Sequence, residues 1–225
     1  MIQRLFLVNF TLVLVLFMSS CTLSNKHIHS NKALVGLPQY WLTTSMYAGV
    51  CAYDNTLTVL DSAFFQATHI VPAGTLVQII DVKQTHTSPD TKQFFVHLKV
   101  AKERGQVSIF SDKPHVLVVP AQVKTKDELK KYLSNFMSKQ DPHRWILTAR
   151  TYIQEGIWHK QPVIGMAKRE LLAAMGAPRK KQHQKNPDTH NAQEIWHYAN
   201  YFVLIDNEEV IKVKKLSGFS NGLQK

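Results

Sequence analysis

Cysteine is scarce: two residues in 225, too few for a disulfide scaffold. Acid is scarce as well, with 16 Asp and Glu against 27 Lys and Arg, a formal net charge of +11. Nine Gly and nine Pro exclude a collagen-like or linker-like polymer. The longest apolar run, Leu5 to Met18, falls short of the roughly 20 residues that span a bilayer. What is present excludes disorder of the whole chain. Apolar residues make up 44%, with 11 Phe, 7 Tyr and 4 Trp, enough surface to offset the entropy of ordering. The length allows one large domain or two small ones.

Residues 1–20 read as a signal peptide: Arg4 in a short positive start, an apolar run, then Ser19 and Ser20. Phe17-Met-Ser-Ser-Cys21 resembles the lipobox of bacterial lipoproteins, with Met18 where Leu is commonest. The resemblance implies cleavage before Cys21 and acylation of that residue, so a covalent lipid is the one cofactor expected. Thr22, rather than Asp, after the cysteine implies sorting to the outer membrane, facing the periplasm. Cys51, in the apolar stretch Tyr47 to Tyr53, is expected to fill core rather than act as a nucleophile. Residues 21–37 are polar and aperiodic and read as a flexible tether, with His27 and His29 solvated.

Residues 38–120 carry β signals: short Val, Ile, Thr and Phe runs between turn residues. His97 and Lys99 fall on the opposite face from Val96, Leu98 and Val100. Val71 to Val82 looks like the entry to a strand in bacterial SH3-like barrels, a family that binds peptides or cell-wall material through aromatic clefts. Tyr47, Tyr53, Phe64 and Phe65 are candidates for such a cleft or for the core of five short strands. Residues 121–160 read as a helical connector. Thr125-Lys-Asp-Glu128 is a capping box, and Leu129, Tyr132, Leu133, Phe136 and Met137 form a helical stripe. A second helix is expected from the Asp141-Pro142 start to Gly156, with Trp145, Ile146, Ala149, Tyr152 and Ile153 as its stripe. Both stripes are expected to pack on the C-terminal sheet.

Residues 161–216 read as a helix followed by antiparallel strands, with 217–225 as a tail. Ile164 to Pro178 is a short helix stopped by Gly176 and Pro178, and strand-like runs follow at Glu194 to Tyr198, Tyr201 to Ile205 and Val210 to Val213. Gly165, Met166, Lys168, Glu170, Gly176, Pro178, Trp196 and Tyr198 resemble, in order, the pattern of the SmpA/OmlA family, the BamE-like outer-membrane lipoproteins. Ala167 stands where that pattern has a capping Thr or Ser, and Asp206-Asn-Glu replaces its aspartate-glycine turn. The fold class expected is therefore α+β: an N-terminal small SH3-like barrel, a helical connector and a C-terminal two-layer α+β domain with an antiparallel sheet. The resemblance implies barrel-assembly proteins of the outer membrane as partners.

No catalytic pattern stands out: the 11 His are scattered, and there is no G-x-S-x-G, P-loop or H-E-x-x-H. An enzyme is not expected, and neither is a metal site. Positive charge is concentrated in the second half. Residues 37–120 hold six Lys or Arg against six Asp or Glu, whereas residues 121–225 hold eighteen against ten. Arg179, Lys180, Lys181 and Lys185 form the densest basic patch, and Trp196 and Tyr198 are candidate partner-binding aromatics should their strand face be exposed. For an exported chain the anions within reach are lipid headgroups, peptidoglycan carboxylates and acidic protein surfaces, not nucleic acid. Two readings follow. One is a membrane-anchored, non-catalytic interaction or scaffold lipoprotein that supports outer-membrane protein assembly or envelope integrity. The other is a peptidoglycan- or envelope-glycan-binding module working through the SH3-like half.

Overall fold

A computed structural model describes residues 29–30, 39–50, 53, 55–59, 66–88, 91–104, 107–185 and 192–216. The signal peptide, Cys21, Cys51, Phe64, Phe65, most of the expected tether and the tail lie outside those residues. Among the described residues strand predominates over helix. Strands β1 (His29–Ser30), β2 (Tyr40–Leu42), β3 (Met46–Val50), β4 (Thr56–Thr58) and β5 (Gln66–Val71) precede two long ones. These are β6 (Leu76–Ser88) and β7 (Thr91–Arg104), followed by β8 (Val107–Phe110) and β9 (His115–Val118). Then come α1 (Lys126–Ser134), β10 (Met137–Ser138), α2 (His143–Ile146), α3 (Thr151–Trp158) and α4 (Lys168–Met175). Strands β11 (Lys180–Lys185), β12 (Ala192–His197), β13 (Tyr201–Asp206) and β14 (Glu209–Lys215) complete the described chain.

The first sheet runs β10-β2-β6-β7-β9-β4-β3-β5, with β1 on β6 and β8 on β7. It is curled and mixed, because β4 and β9 pair in parallel. Strand β7 alternates from Val96 to Val100, with Val96, Leu98 and Val100 buried and His97 and Lys99 half-buried, while Phe94 and Phe95 are both buried. Strand β6 changes parity: Val77 and Ile79 point inward, and so does Val82. A bulge between Ile79 and Asp81 explains the switch, since one extra residue moves the rest of a strand to the other face. Part of the expected tether is strand, because His29 and Ser30 pair with Gln84 and Lys83.

The expected α+β class with an SH3-like barrel and a helical connector is not what forms. Two strands of 13 and 14 residues build a larger curled sheet than five short strands would give. The connector is split between two cores. The Thr125 cap forms as its residues dictate: Thr125 Oγ1 accepts from Glu128 N at 3.2 Å and Glu128 Oε2 accepts from Thr125 N at 3.0 Å. Helix α1 then stops at Ser134, because Met137 and Ser138 pair with β2 as an edge strand. Leu129, Leu133, Phe136 and Met137 thus belong to the first core, not to the C-terminal sheet. The second expected helix is broken into α2 and α3, and Ile146, Ile153 and Ile157 enter the second core. Gly156 does not end that helix. It lies inside α3, where a Cβ would come within 2.6 Å of both Met166 and Val163.

The second sheet is antiparallel, in the order β11-β12-β13-β14. Its inward residues Trp196, Val203, Ile205 and Val210 pack with Ile157, Met166, Leu171, Ala174 and Met175. The two cores meet at a polar seam. Ser45 N donates to Ala173 O at 2.8 Å, Ser45 Oγ donates to Ile157 O at 2.6 Å, and Ala73 N donates to that same Oγ at 2.9 Å.

Candidate interaction surface

Lys160, 3% exposed, closes the seam. Its backbone sits at φ 54°, the left-handed turn that stops α3; Gln161 N donates to Gly156 O and Lys160 N to Ile157 O. That is the pairing of a Schellman cap, with Lys at the position glycine usually takes. The side chain then crosses between the cores. Nζ donates to Ser45 O at 2.8 Å and to Met175 O at 3.2 Å, and lies 5.2 Å from the centre of the Tyr47 ring. Met175 ends α4, so the ammonium sits where a helix C-terminus favours a cation. Sequence reasoning missed this residue; nothing around a lone Lys marks it as buried.

Helix α4 is positioned at both ends. At its start Glu170 Oε2 accepts from Ala167 N at 2.7 Å, while Ala167 has no side-chain oxygen to complete the box. At its end Gly176 takes φ 80°, as the chain leaves towards β11. Lys168 Nζ donates to Glu194 Oε1 at 2.6 Å and also to Glu208, joining the helix to β12 and to the β13–β14 turn. Glu194 in turn accepts from Trp196 Nε1 at 2.7 Å. The Lys168 ammonium, with the indole second, holds the Glu194 carboxyl below the usual carboxylate range.

The candidate aromatics do not form an accessible pair. Trp196 is 1% and Tyr198 7% exposed, and both belong to the second core. Tyr198 OH donates to Gly176 O at 3.1 Å, and burial pushes its pKa up. The sequence puts both on an apolar run next to strand residues, but the helices cover that face.

The basic patch is an edge, not a face. Lys180, Lys181 and Lys185 lie on β11, an end strand of the sheet in which all six residues are exposed, and Arg179 precedes it. Alternation splits the run. Lys181 pairs with Trp196 and leans over its ring, Nζ 4.2 Å from the centre, while Lys180 pairs with His197 and faces the other side. Lysines on an edge strand also discourage unwanted strand pairing.

A cleft of about 350 Å3 lies between the β5–β6 turn and α2, lined by Pro72, Gly74, Thr75, Leu76, His143 and Trp158. Asp141 Oδ1 fixes the His143 ring by a 2.9 Å contact to Nδ1, which turns Nε2 towards Gly74. The hydroxyl of Thr75 donates to Pro72 O and is turned to its own backbone. Of the four candidate cleft aromatics of the first half, Tyr47 is half-buried beside Lys160 and Tyr53 is exposed against Phe95. Among the described residues there is no group of three His, Cys, Asp or Glu placed to hold a metal, and no helix long and apolar enough to cross a membrane. Comparison with family models, curated proteins and solved structures finds no match to the chain.

Proposed function

We propose that this chain is a lipid-anchored protein of the bacterial outer membrane, facing the periplasm, and a non-catalytic interaction component of the envelope. Its task in this reading is support of outer-membrane protein assembly or envelope integrity. The observation that carries the reading is the exposed basic edge strand β11, set at one end of a body whose two cores are pinned together by Lys160 and Ser45. A rigid body with positive charge at one edge suits recognition of an anionic surface more than turnover of a small molecule. The lipobox-like run to Cys21 and the resemblance of Gly165 to Pro178 to SmpA/OmlA lipoproteins support the same reading. A tether at Cys21 would hold these cations near headgroups, each worth ~1 kcal/mol when close to an anionic surface. The glycan-binding alternative rested on an SH3-like barrel; the larger curled sheet removes that basis.

Labelling with an alkynyl fatty acid should mark the wild type, and Cys21→Ser should abolish the label. Barrel-assembly subunits should co-purify with the labelled protein and be lost when Arg179, Lys180, Lys181 and Lys185 are all changed to Gln. Persistent labelling of the Cys21 variant, or undiminished recovery by the quadruple variant, overturns the reading.

A further inference from the structure

The outer face of the second sheet is unlike an ordinary solvated one. An antiparallel sheet with helices on one side should alternate apolar-in and polar-out. Strand β13 does not: Val203 and Ile205 enter the core, yet Phe202 and Leu204 on the other face are apolar too. Strand pairing sets them in two straight rows. One runs Lys180, His197, Phe202, Lys214; the next runs Gln182, Ile195, Leu204, Lys212. The four central residues are half-buried and the four outer ones exposed. His197 stacks edge-on against Phe202, with ring centres 4.6 Å apart, and its Nε2 bonds Gln182 Oε1 at 2.7 Å, so the surface is pre-ordered. Neither row contains an acid.

We propose that this outer face docks an acidic amphipathic segment of a protein partner, its apolar residues on Ile195, Phe202 and Leu204 and its carboxylates on Lys180, Lys212 and Lys214. The proposal deepens the interaction reading above and rests on it. Charge complementarity selects the occupant. A second copy packed face to face would set lysine against lysine. A membrane is disfavoured because only a narrow strip of three half-buried apolar side chains is offered to it. The next row on this face, Gln193, Asp206 and Glu209, would also bring acid towards anionic headgroups. An apolar strip rimmed by charged residues marks an interaction site, and the sign of the rim here selects an acidic occupant.

The test uses the full chain in detergent and a fluorescein-labelled helical peptide with Leu and Glu on one face and Gln on the other. Anisotropy should show saturable binding, at least tenfold weaker with Lys212→Glu/Lys214→Glu and with Leu204→Ser. Lys126→Gln/Lys131→Gln on α1, away from this face, should bind as the wild type, and the lysine variants should keep its melting temperature. A peptide with Ser for Leu, or Lys for Glu, should not bind. Absence of saturable binding, equal binding of the Ser-for-Leu peptide, or loss in the α1 variant alone overturns the proposal. So does binding of phosphatidylglycerol vesicles, lost in Lys212→Glu/Lys214→Glu, with no binding of the peptide. None of these results touches fatty-acid labelling or co-purification, so failure of the docking face is distinct from failure of the envelope reading.

Discussion

In the first half of the molecule the sheet curls about its own core, whereas in the second it lies against three short helices and leaves one face and one edge outward. Charge follows the same division: residues 37–120 are balanced, and residues 121–225 hold eighteen bases against ten acids. A curled sheet uses its alternation to bury one face on itself, and Phe94, Val96, Leu98 and Val100 do so along β7. An open sheet has to find cover for whatever apolar surface remains, and β13 carries apolar residues on both faces. The contrast teaches where each half spends its sequence. The first half is specified mainly by its own packing, the second also by what it presents.

If that division holds, the seam is the place where damage is largest. Lys160→Met keeps the stem and the left-handed backbone but strips the donors from Ser45 O and Met175 O. Leaving buried carbonyls without partners costs about 1–3 kcal/mol each, so a loss of ~2–6 kcal/mol is expected for the two. Urea unfolding followed by Trp fluorescence should show the single wild-type transition broaden or divide as the cores uncouple. Lys160→Gly relieves the positive φ and should be less damaging by about 1 kcal/mol. A stability within 0.5 kcal/mol of the wild type for Lys160→Met (roughly the scatter of a neutral surface change) would remove the seam from the account.

Acid sharpens the comparison, because the two halves titrate differently. His115 in the first core is 8% exposed, and its Nδ1 has no partner among the described residues. Burial first, then His69 and Lys102, lowers its pKa from 6.5 to about 4. The unfolded chain therefore takes up the proton first as pH falls. This residue's contribution is fully present above pH 6.5 and declines until about pH 4. The loss is on the order of 3 kcal/mol. His97, lowered by burial and Lys83, adds in the same direction. In the second half Glu194 has the depressed carboxyl, so its contribution is present above the ordinary carboxylate pKa and is lost only at lower pH. His115→Leu should remove most of the stability slope between pH 6.5 and 4, and Glu194→Gln should leave it intact. An unchanged slope in His115→Leu would place the acid sensitivity elsewhere.

How much of this was legible depends on whether the cause was local. The Thr125 cap and the alternation of β7 follow from residues a few positions apart, and both were readable. Strand β10 was not, because Met137 sits at helical spacing from Leu133 and only pairing with β2 overrides it. From sequence alone, β11 is a charge run. Lys-Lys-Gln-His-Gln-Lys has no apolar period, and its extended state comes from β12 alone. For the candidate surface, composition locates the densest basic run but not its geometry, since an edge strand divides that run between two faces. The burial of Trp196 and Tyr198 is not legible, because β13 is apolar on both faces and sequence does not say which one the helices cover.

The smallest effect compares the two helix starts. In α1 the capping box is complete, with Thr125 and Glu128 each satisfying the other's backbone. In α4 only the return half exists: Glu170 reaches Ala167 N, but Ala167 offers no oxygen to the amide of Glu170. The backbone of Ala167, at φ −68° and ψ 158°, already has the extended shape that a capping residue needs, and its side chain is exposed. Ala167→Thr should therefore complete the box without moving the chain, adding ~0.5–1 kcal/mol. In a chain of this size that raises the melting temperature by about 1–4 °C. Thr125→Ala should lower it by a similar amount, because the same hydrogen bond is being added at one helix and deleted at the other. If Ala167→Thr lowers melting while Thr125→Ala behaves as expected, then the Ala167 bridge to Glu209 on β14, rather than the missing oxygen, governs how α4 begins.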